Sequence, residues 1–383
     1  MTDKSLRFVV AMDSFKGCLS SLSAGEAVAC GLREAFPAAA ITVLPMADGG
    51  EGTADAITRA CGGNVVSAST VDPLGRPITA TYGISPDGSA AFIDMAAASG
   101  LTLLKPSERN PLLTSTFGTG LLMADALRRG CRSILLGLGG SSTHDGGIGC
   151  LAALGLELLD ADGNVIARPC GKDLAKIRGA NGSQRFASFK AQCGCLSLAC
   201  DVSVPLCGPN GAAHVFAPQK GASPQVVEEL DEGMNHFANF TQTVTGHDMR
   251  SFTGAAGGLG AGLSAWFGGK IADGVSLVLS AVGFGRSVDG ATFAFTGEGR
   301  SDEQTLLGKV PAGVFHEAAA EGVPSVLISG HVDNPRLFTD FGFKAAVSSS
   351  PAGLPLVDAM QPDMAKDNLR RVARDVAELL LEK

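Results

Sequence analysis

Short apolar runs that end in glycine, hydroxyl and carboxylate residues, each followed by a helical stretch, recur along this chain and constrain its fold more than any other feature. Residues 8–12 run into Asp13-Ser14-Phe15-Lys16-Gly17, and residues 24–36 then show helical periodicity that stops at Pro37. Residues 41–46 form a second such run, ending in Ala47-Asp48-Gly49-Gly50, with a helix expected over 51–60. The last stretch of the chain resumes this alternation, with strands at 292–296, 325–329 and 345–348 and helices at 310–320 and 364–381. Alternation of this kind predicts parallel strands joined by crossover helices. Two strands at the front and three at the back suit one flavodoxin-like parallel sheet assembled from both chain ends.

The middle reads differently. Runs at 65–71, 78–84 and 90–95 look antiparallel, with Pro86-Asp87-Gly88 as a turn between two of them. Helices are expected at 119–129, 148–159 and 226–244, and strands at 133–138 and 196–201. The expected fold is therefore α/β: a flavodoxin-like domain from residues 1–64 and 289–383, with a second, mixed-sheet α/β domain, 65–288, inserted into it. A cleft between the two would be the natural ligand site. A length of 383 residues is comfortable for two domains, and 45% hydrophobic against 18% charged residues is enough for sizeable cores.

Composition narrows the partners. The net charge of −8 and the lack of a basic stretch argue against nucleic acid and anionic membrane. With one Trp and one Tyr, base or sugar stacking on exposed aromatics is a poor expectation. No apolar run is long enough to span a bilayer, and the polar residues 1–7 are not expected to be a signal peptide. Ten scattered cysteines without a CxxC pair or zinc spacing read as small buried hydrophobes in a reducing compartment, so a cytoplasmic location is expected.

Five loops could carry chemistry: those after Asp13 and after Asp48, the loop Gly139-Gly140-Ser141-Ser142-Thr143-His144-Asp145-Gly146-Gly147, Asp201, and Gly297-Glu298-Gly299-Arg300-Ser301-Asp302. In open α/β sheets the carboxyl ends of the strands face the ligand crevice, so the five should converge. Glycines and hydroxyls entering helices offer backbone N–H groups to phosphate, and carboxylates offer ligands to Mg²⁺. Lys16, Arg300 and Lys309 could neutralise a transferring phosphoryl group. Phosphoryl transfer accounts for this set better than hydride transfer or covalent hydrolysis. No GxxxxGK[ST] loop, credible dinucleotide fingerprint or GxSxG elbow accompanies it.

These motifs identify a resemblance. Asp13 to Gly17 with Leu19-Ser20, Pro45 to Thr53, Met95 to Leu101, Thr116 to Gly120 and Gly137 to Gly147 are similar to the blocks of the bacterial type I glycerate kinases. So are Cys200-Asp201-Val202, Pro218-Gln219-Lys220-Gly221-Ala222, Gly254 to Gly262, and Thr296 to Arg300 with Asp302 and Gly308 to Pro311. The blocks keep the family's order along essentially the whole chain. Met12, His144 and Val204 depart from the residues usual there. The resemblance implies phosphorylation of D-glycerate by ATP with Mg²⁺, at the 2-hydroxyl, by direct in-line transfer.

The expected catalytic residues are Asp48, Asp201 and Lys16, with Asp48 or Asp201 as the base acting on the acceptor hydroxyl. Ser14, Gly49, Gly50, Gly139, Gly140, Ser141, Ser142, Thr143, Asp145, Gly297, Glu298, Arg300 and Lys309 are the expected substrate and phosphate contacts. Asp145, Asp201 and Asp302 are the expected Mg²⁺ ligands. Asp145 could instead cap the helix expected after it, and Arg300 could pair with its carboxylate neighbours as a structural ion pair. The alternatives are a kinase for another small hydroxy acid or polyol, and a sensor of phosphorylated metabolites. Glycerate and ATP are the expected partners, and a homo-oligomer is left open.

Overall fold

The computed structural model describes residues 6–50, 52–201 and 203–381. Glu51 and Val202, which belong to two of the motifs above, and residues 1–5 lie outside the described residues. The chain divides into two compact units: residues 1–48, 59–61 and 275–383, and residues 49–58 and 62–274.

The first unit carries a five-stranded, all-parallel sheet. Its order is Ala40–Val43, Arg7–Met12, Phe293–Gly297, Ser325–Ser329, Ala345–Ser348. Counted along the chain this is the flavodoxin-like winding that the two chain ends lead one to expect. Arg7–Met12 is apolar and buried beyond its first residue, as a parallel strand covered on both faces must be. The helix Ser21–Ala35 starts where Ser20 accepts the Ser23 N–H at 3.2 Å. It packs along the closing helix Pro362–Leu381, and Gly31 makes that approach close. A Cβ at Gly31 would sit 2.0 Å from the Arg370 carbonyl oxygen. Phe8, Val10, Phe295, Val326 and Leu369 form the core between.

The second unit carries a six-stranded mixed sheet, ordered Lys270–Ala272, Cys195–Ala199, Ser133–Gly137, Ala90–Asp94, Pro77–Ile84, Asn64–Val71. The first four run parallel and the last two antiparallel to their neighbours. The turn between Pro77–Ile84 and Ala90–Asp94 is tied by Asp87, whose carboxylate accepts from the Ser85 hydroxyl at 2.6 Å and the Ser89 N–H at 3.1 Å. Ile93, Leu122, Ile134, Leu136, Leu151, Leu198 and Phe237 fill the core.

The helix expected over 148–159 is in fact two elements. Ile148–Leu154 is helical, and Gly155 ends it at φ 105°. Leu156–Leu159 then pairs antiparallel with Gly179–Gly182, turning Leu156 and Leu158 inward. Leu259–Phe267 is a wholly buried helix, and Gly262 lets it lie against the Gly146 carbonyl, where a Cβ would be 2.1 Å from the oxygen. No helix among the described residues is long and apolar enough to cross a membrane.

Candidate active site

In each unit the motif residues gather at the carboxyl ends of parallel strands. In the first unit, Arg7–Met12 and Phe293–Gly297 run side by side, and the Asp13 N–H donates to the Gly297 carbonyl at 2.9 Å. Asp13 and Glu298 therefore leave adjacent strands together. Asp13 is only 5% exposed. Burial, reinforced by the negative charge of Asp48 and then Glu298, pushes its carboxyl up to about 7, against the opposing Ser14 N–H and Lys16 charge. The Ser14 N–H donates to Asp13 Oδ1 at 2.7 Å. Lys16 Nζ lies 3.9 Å from Asp48 Oδ2, with its side chain 82% exposed, so this contact is a screened one that an anionic ligand could displace.

Glu298 is buried and its Oε1 accepts from the Thr305 hydroxyl at 2.6 Å and the Ser301 hydroxyl at 3.2 Å. Lys309, the residue before the helix Val310–Ala320, places Nζ 3.7 Å from Glu298 Oε2 and 4.0 Å from Asp302 Oδ1. Asp302 accepts from the Gln304 N–H at 2.9 Å, closing the turn Glu303–Leu307. Arg300 turns elsewhere: it forms a two-point pair with Asp333, at 3.0 and 2.9 Å. Lys309 is the cation within 4.0 Å of both Glu298 and Asp302. Gly297 has a packing reason to be glycine, since a Cβ there would lie 1.8 Å from the Ile328 carbonyl oxygen.

In the second unit, Gly49 and Gly50 lie across the ends of Ser133–Gly137 and Cys195–Ala199. Gly49 has φ 89°, and a Cβ there would meet Ala199 and Gly274 at 3.3 Å. Asp94, at the end of Ala90–Asp94, secures the same loop by accepting from the Gly52 N–H at 2.8 Å and the Ala54 N–H at 3.0 Å. Gly139 donates to the Gly49 carbonyl at 3.4 Å, and the Gly140 carbonyl accepts from Leu101 at 2.9 Å. Asp201 is exposed and accepts from the Gly274 N–H at 3.0 Å, where the helix Gly274–Val282 begins.

The loop from Gly139 to Gly147 sorts its residues by direction. Ser141 is partly exposed. Ser142 is buried, donates its hydroxyl to the Ser99 carbonyl at 2.9 Å and accepts at its own carbonyl from Thr114 at 2.9 Å. Asp145 is wholly buried, and its two oxygens accept from the Thr116 N–H and hydroxyl, Gly147 N–H and Gly149 N–H. Burial raises its pKa while those donors hold the carboxylate down. Wholly buried and with all four of these donors internal, Asp145 organises the loop. Ser142 likewise points inward instead of toward a ligand. His144 is wholly buried, and burial together with the Lys220 charge pushes its imidazole down to about 3.

Three residues that were not among the expected ones lie at these strand-end loops: Asp13 in the first unit, and Asp94 and Lys220 in the second. Asp13 heads a quoted motif and Lys220 sits inside another, so the motifs carried both. Nothing in a linear string ranks one strand-end carboxylate above the next. Asp94 gives no local cue at all, because its role is to hold a loop 42 residues upstream.

The glycerate kinase family model matches residues 8–381. A protein of Halalkalibacterium halodurans named glycerate kinase is 43% identical over 374 residues, covering 96% of this chain and 97% of its own. The glycerate 2-kinase of Escherichia coli is 39% identical over 378 residues, covering 98% of each chain. A crystal structure from Salmonella typhimurium, provisionally named glycerate kinase 2, superposes with a TM-score of 0.89 over 99% of each chain at 39% identity.

Proposed function

Because this chain belongs to the glycerate kinase family, we propose that it transfers the terminal phosphoryl group of ATP to D-glycerate and releases 2-phosphoglycerate. The observation that carries the reading is that the family match spans residues 8–381, so every strand-end carboxylate and lysine described above falls inside it. Little covalent chemistry is asked of the protein in such a reaction; positioning and charge supply most of the rate.

Asp48 and Asp201 keep accessible carboxylates and are the candidates for accepting the hydroxyl proton of glycerate. Lys16 and Lys309, each near a carboxylate, are the candidate cations for the phosphoryl oxygens or the glycerate carboxylate. Glycines 49, 50, 139 and 140 supply backbone that can approach a phosphate closely. Mg²⁺ would be held by ATP phosphates, water and one or two protein carboxylates, for which Asp201 and Asp302 have accessible oxygens. Among the described residues no three His, Cys, Asp or Glu side chains converge on one point, and an ion that keeps water and phosphate oxygens does not require them to. When bound, it neutralises charge on the transferring group.

The test is ADP release from Mg·ATP over a panel of hydroxy acids and polyols, with the product identified by phosphorus NMR. Glycerate-dependent turnover giving 2-phosphoglycerate is expected. Asp48→Asn or Asp201→Asn, whichever removes the base, should lower kcat by about 10²–10⁴-fold and change KM far less. A 3-phosphoglycerate product would overturn the regiochemistry, and faster turnover of another acceptor would overturn the substrate.

A further inference from the structure

Lys220 is 2% exposed, yet its ammonium lies within the loop that follows the strand Ser133–Gly137. It ends the short turn Pro218–Lys220, and the next residue, Gly221, permits the burial: at φ 93°, a Cβ there would sit 2.2 Å from the Arg109 carbonyl oxygen. From this position Lys220 Nζ donates to the Ser141 hydroxyl oxygen at 2.7 Å and to the Thr143 carbonyl at 2.7 Å. These two bonds account for only two of its three protons.

The surrounding groups leave the charge under-compensated. Asp145 is the carboxylate nearest in effect, but its oxygens are taken by Thr116, Gly147 and Gly149. His144 presents a neutral ring, with neither nitrogen hydrogen-bonded among the described residues. Arg109 lies behind Gly221, its buried Nε also without a partner among the described residues, and His214 on the adjacent helix Ala212–Phe216 is paired with Glu228. Among the described residues the buried Thr143 hydroxyl has no partner either. A buried cation with one carboxylate in reach, beside several unspent donors, is a site short of negative charge. Because the Ser141 oxygen accepts from Lys220, its own proton is free to donate to a ligand, and Ser141 lies at the accessible end of the loop, with the partly exposed Gly139 and the exposed Gly140, whereas Ser142 to Gly147 are buried.

We infer that Lys220 is a positioning residue that acts through Ser141 to bind an anionic phosphoryl group at this loop, and that anion binding and the protonation of Lys220 are coupled. The inference rests on the reading of the loop as a phosphate contact. Burial pulls the Lys220 amine down to about 7, against the opposing charge of Asp145. A bound anion favours the ammonium, so binding takes up a proton near neutral pH, and by reciprocity affinity falls as pH rises through this range.

The experiment uses sulfate as the probe, because it does not itself titrate near neutrality. Calorimetry of sulfate binding to the full chain at pH 7.5, in two buffers of different ionisation enthalpy, reads the proton change directly. The wild type should take up a fraction of a proton. Asp13 also titrates near neutrality, and the uptake should persist in Asp13→Asn. In Lys220→Met the uptake should vanish and sulfate should bind roughly tenfold more weakly. Ser141→Ala, which keeps the lysine, should weaken binding as well and decides the matter together with the wild type should Lys220→Met not fold. A residue that merely filled space would leave proton uptake untouched. Sulfate binding without uptake, no sulfate binding, or wild-type behaviour in Lys220→Met overturns the inference. Glycerate-dependent turnover unaffected by Lys220→Met would remove this proposal and leave the kinase reading standing. Lys220-linked sulfate binding in a protein that ignores glycerate would do the reverse.

Discussion

Asp13 shows how a residue's role is set by its neighbours more than by its type. Its carboxyl is held in its acid form to about pH 7 by burial and by two nearby carboxylates. Between about pH 4 and 7 the folded state binds a proton here that the unfolded state has already lost, so stability falls as pH rises across that window and levels off above it. Asp13→Asn keeps an oxygen for the Ser14 N–H and removes the buried charge. It should therefore raise the thermal midpoint at pH 8 and leave it nearly unchanged at pH 4; equal shifts at both values would refute the assignment. At the same scale, Lys309→Met should destabilise more than Lys16→Met. Lys309 is the cation beside the buried Glu298, whereas Lys16 pairs in open solvent. Thermal midpoints of the two variants at neutral pH check the order.

Elements are placed by glycines that admit backbone as much as by apolar patterning. The helix pair Ser21–Ala35 and Pro362–Leu381 joins the two ends of the chain, and its closest point is Gly31 against Arg370. Gly31→Ala should cost about 1–3 kcal/mol through forced separation of the helices, despite alanine's better helix propensity. Urea denaturation should show a lower midpoint, and a midpoint at or above wild type would mean the pair can spread freely. This glycine was readable as helical but not as a contact. Similarly, helical periodicity past Leu154 was misleading because Leu156 and Leu158 suit an inward-facing strand as well as a helix. Gly155 decides between them, and only its left-handed conformation reveals that it stops the helix.

At the scale of the whole molecule, all ten cysteines are free thiols. Each unit relies on an apolar core of its own, without covalent cross-links. A reducing agent should therefore leave the thermal midpoint where it is, and a shift on adding dithiothreitol would point to a disulfide. Cys150 and Cys170, buried and with thiols pushed above their ordinary pKa, should resist alkylation in the native protein, whereas the exposed Cys30 and Cys195 should react.

The alternation of apolar runs, glycine-rich turns and helices was enough to determine an α/β fold, five parallel strands drawn from both chain ends and a mixed sheet between them, because period and punctuation are local properties. Motif order was enough to identify the family. Direction was not legible. Ser141 and Ser142 are adjacent in sequence, and one is partly exposed and accepts from Lys220 while the other is buried and tied to Ser99. Asp145 looked like a ligand and is a buried loop organiser; Arg300 looked like a phosphate clamp and holds Asp333. Lys220 reaches residues 77 and 79 positions away. Which way a side chain points, and which charge lies next to it, depends on packing between segments distant in the chain, and that is settled only once the tertiary structure has formed.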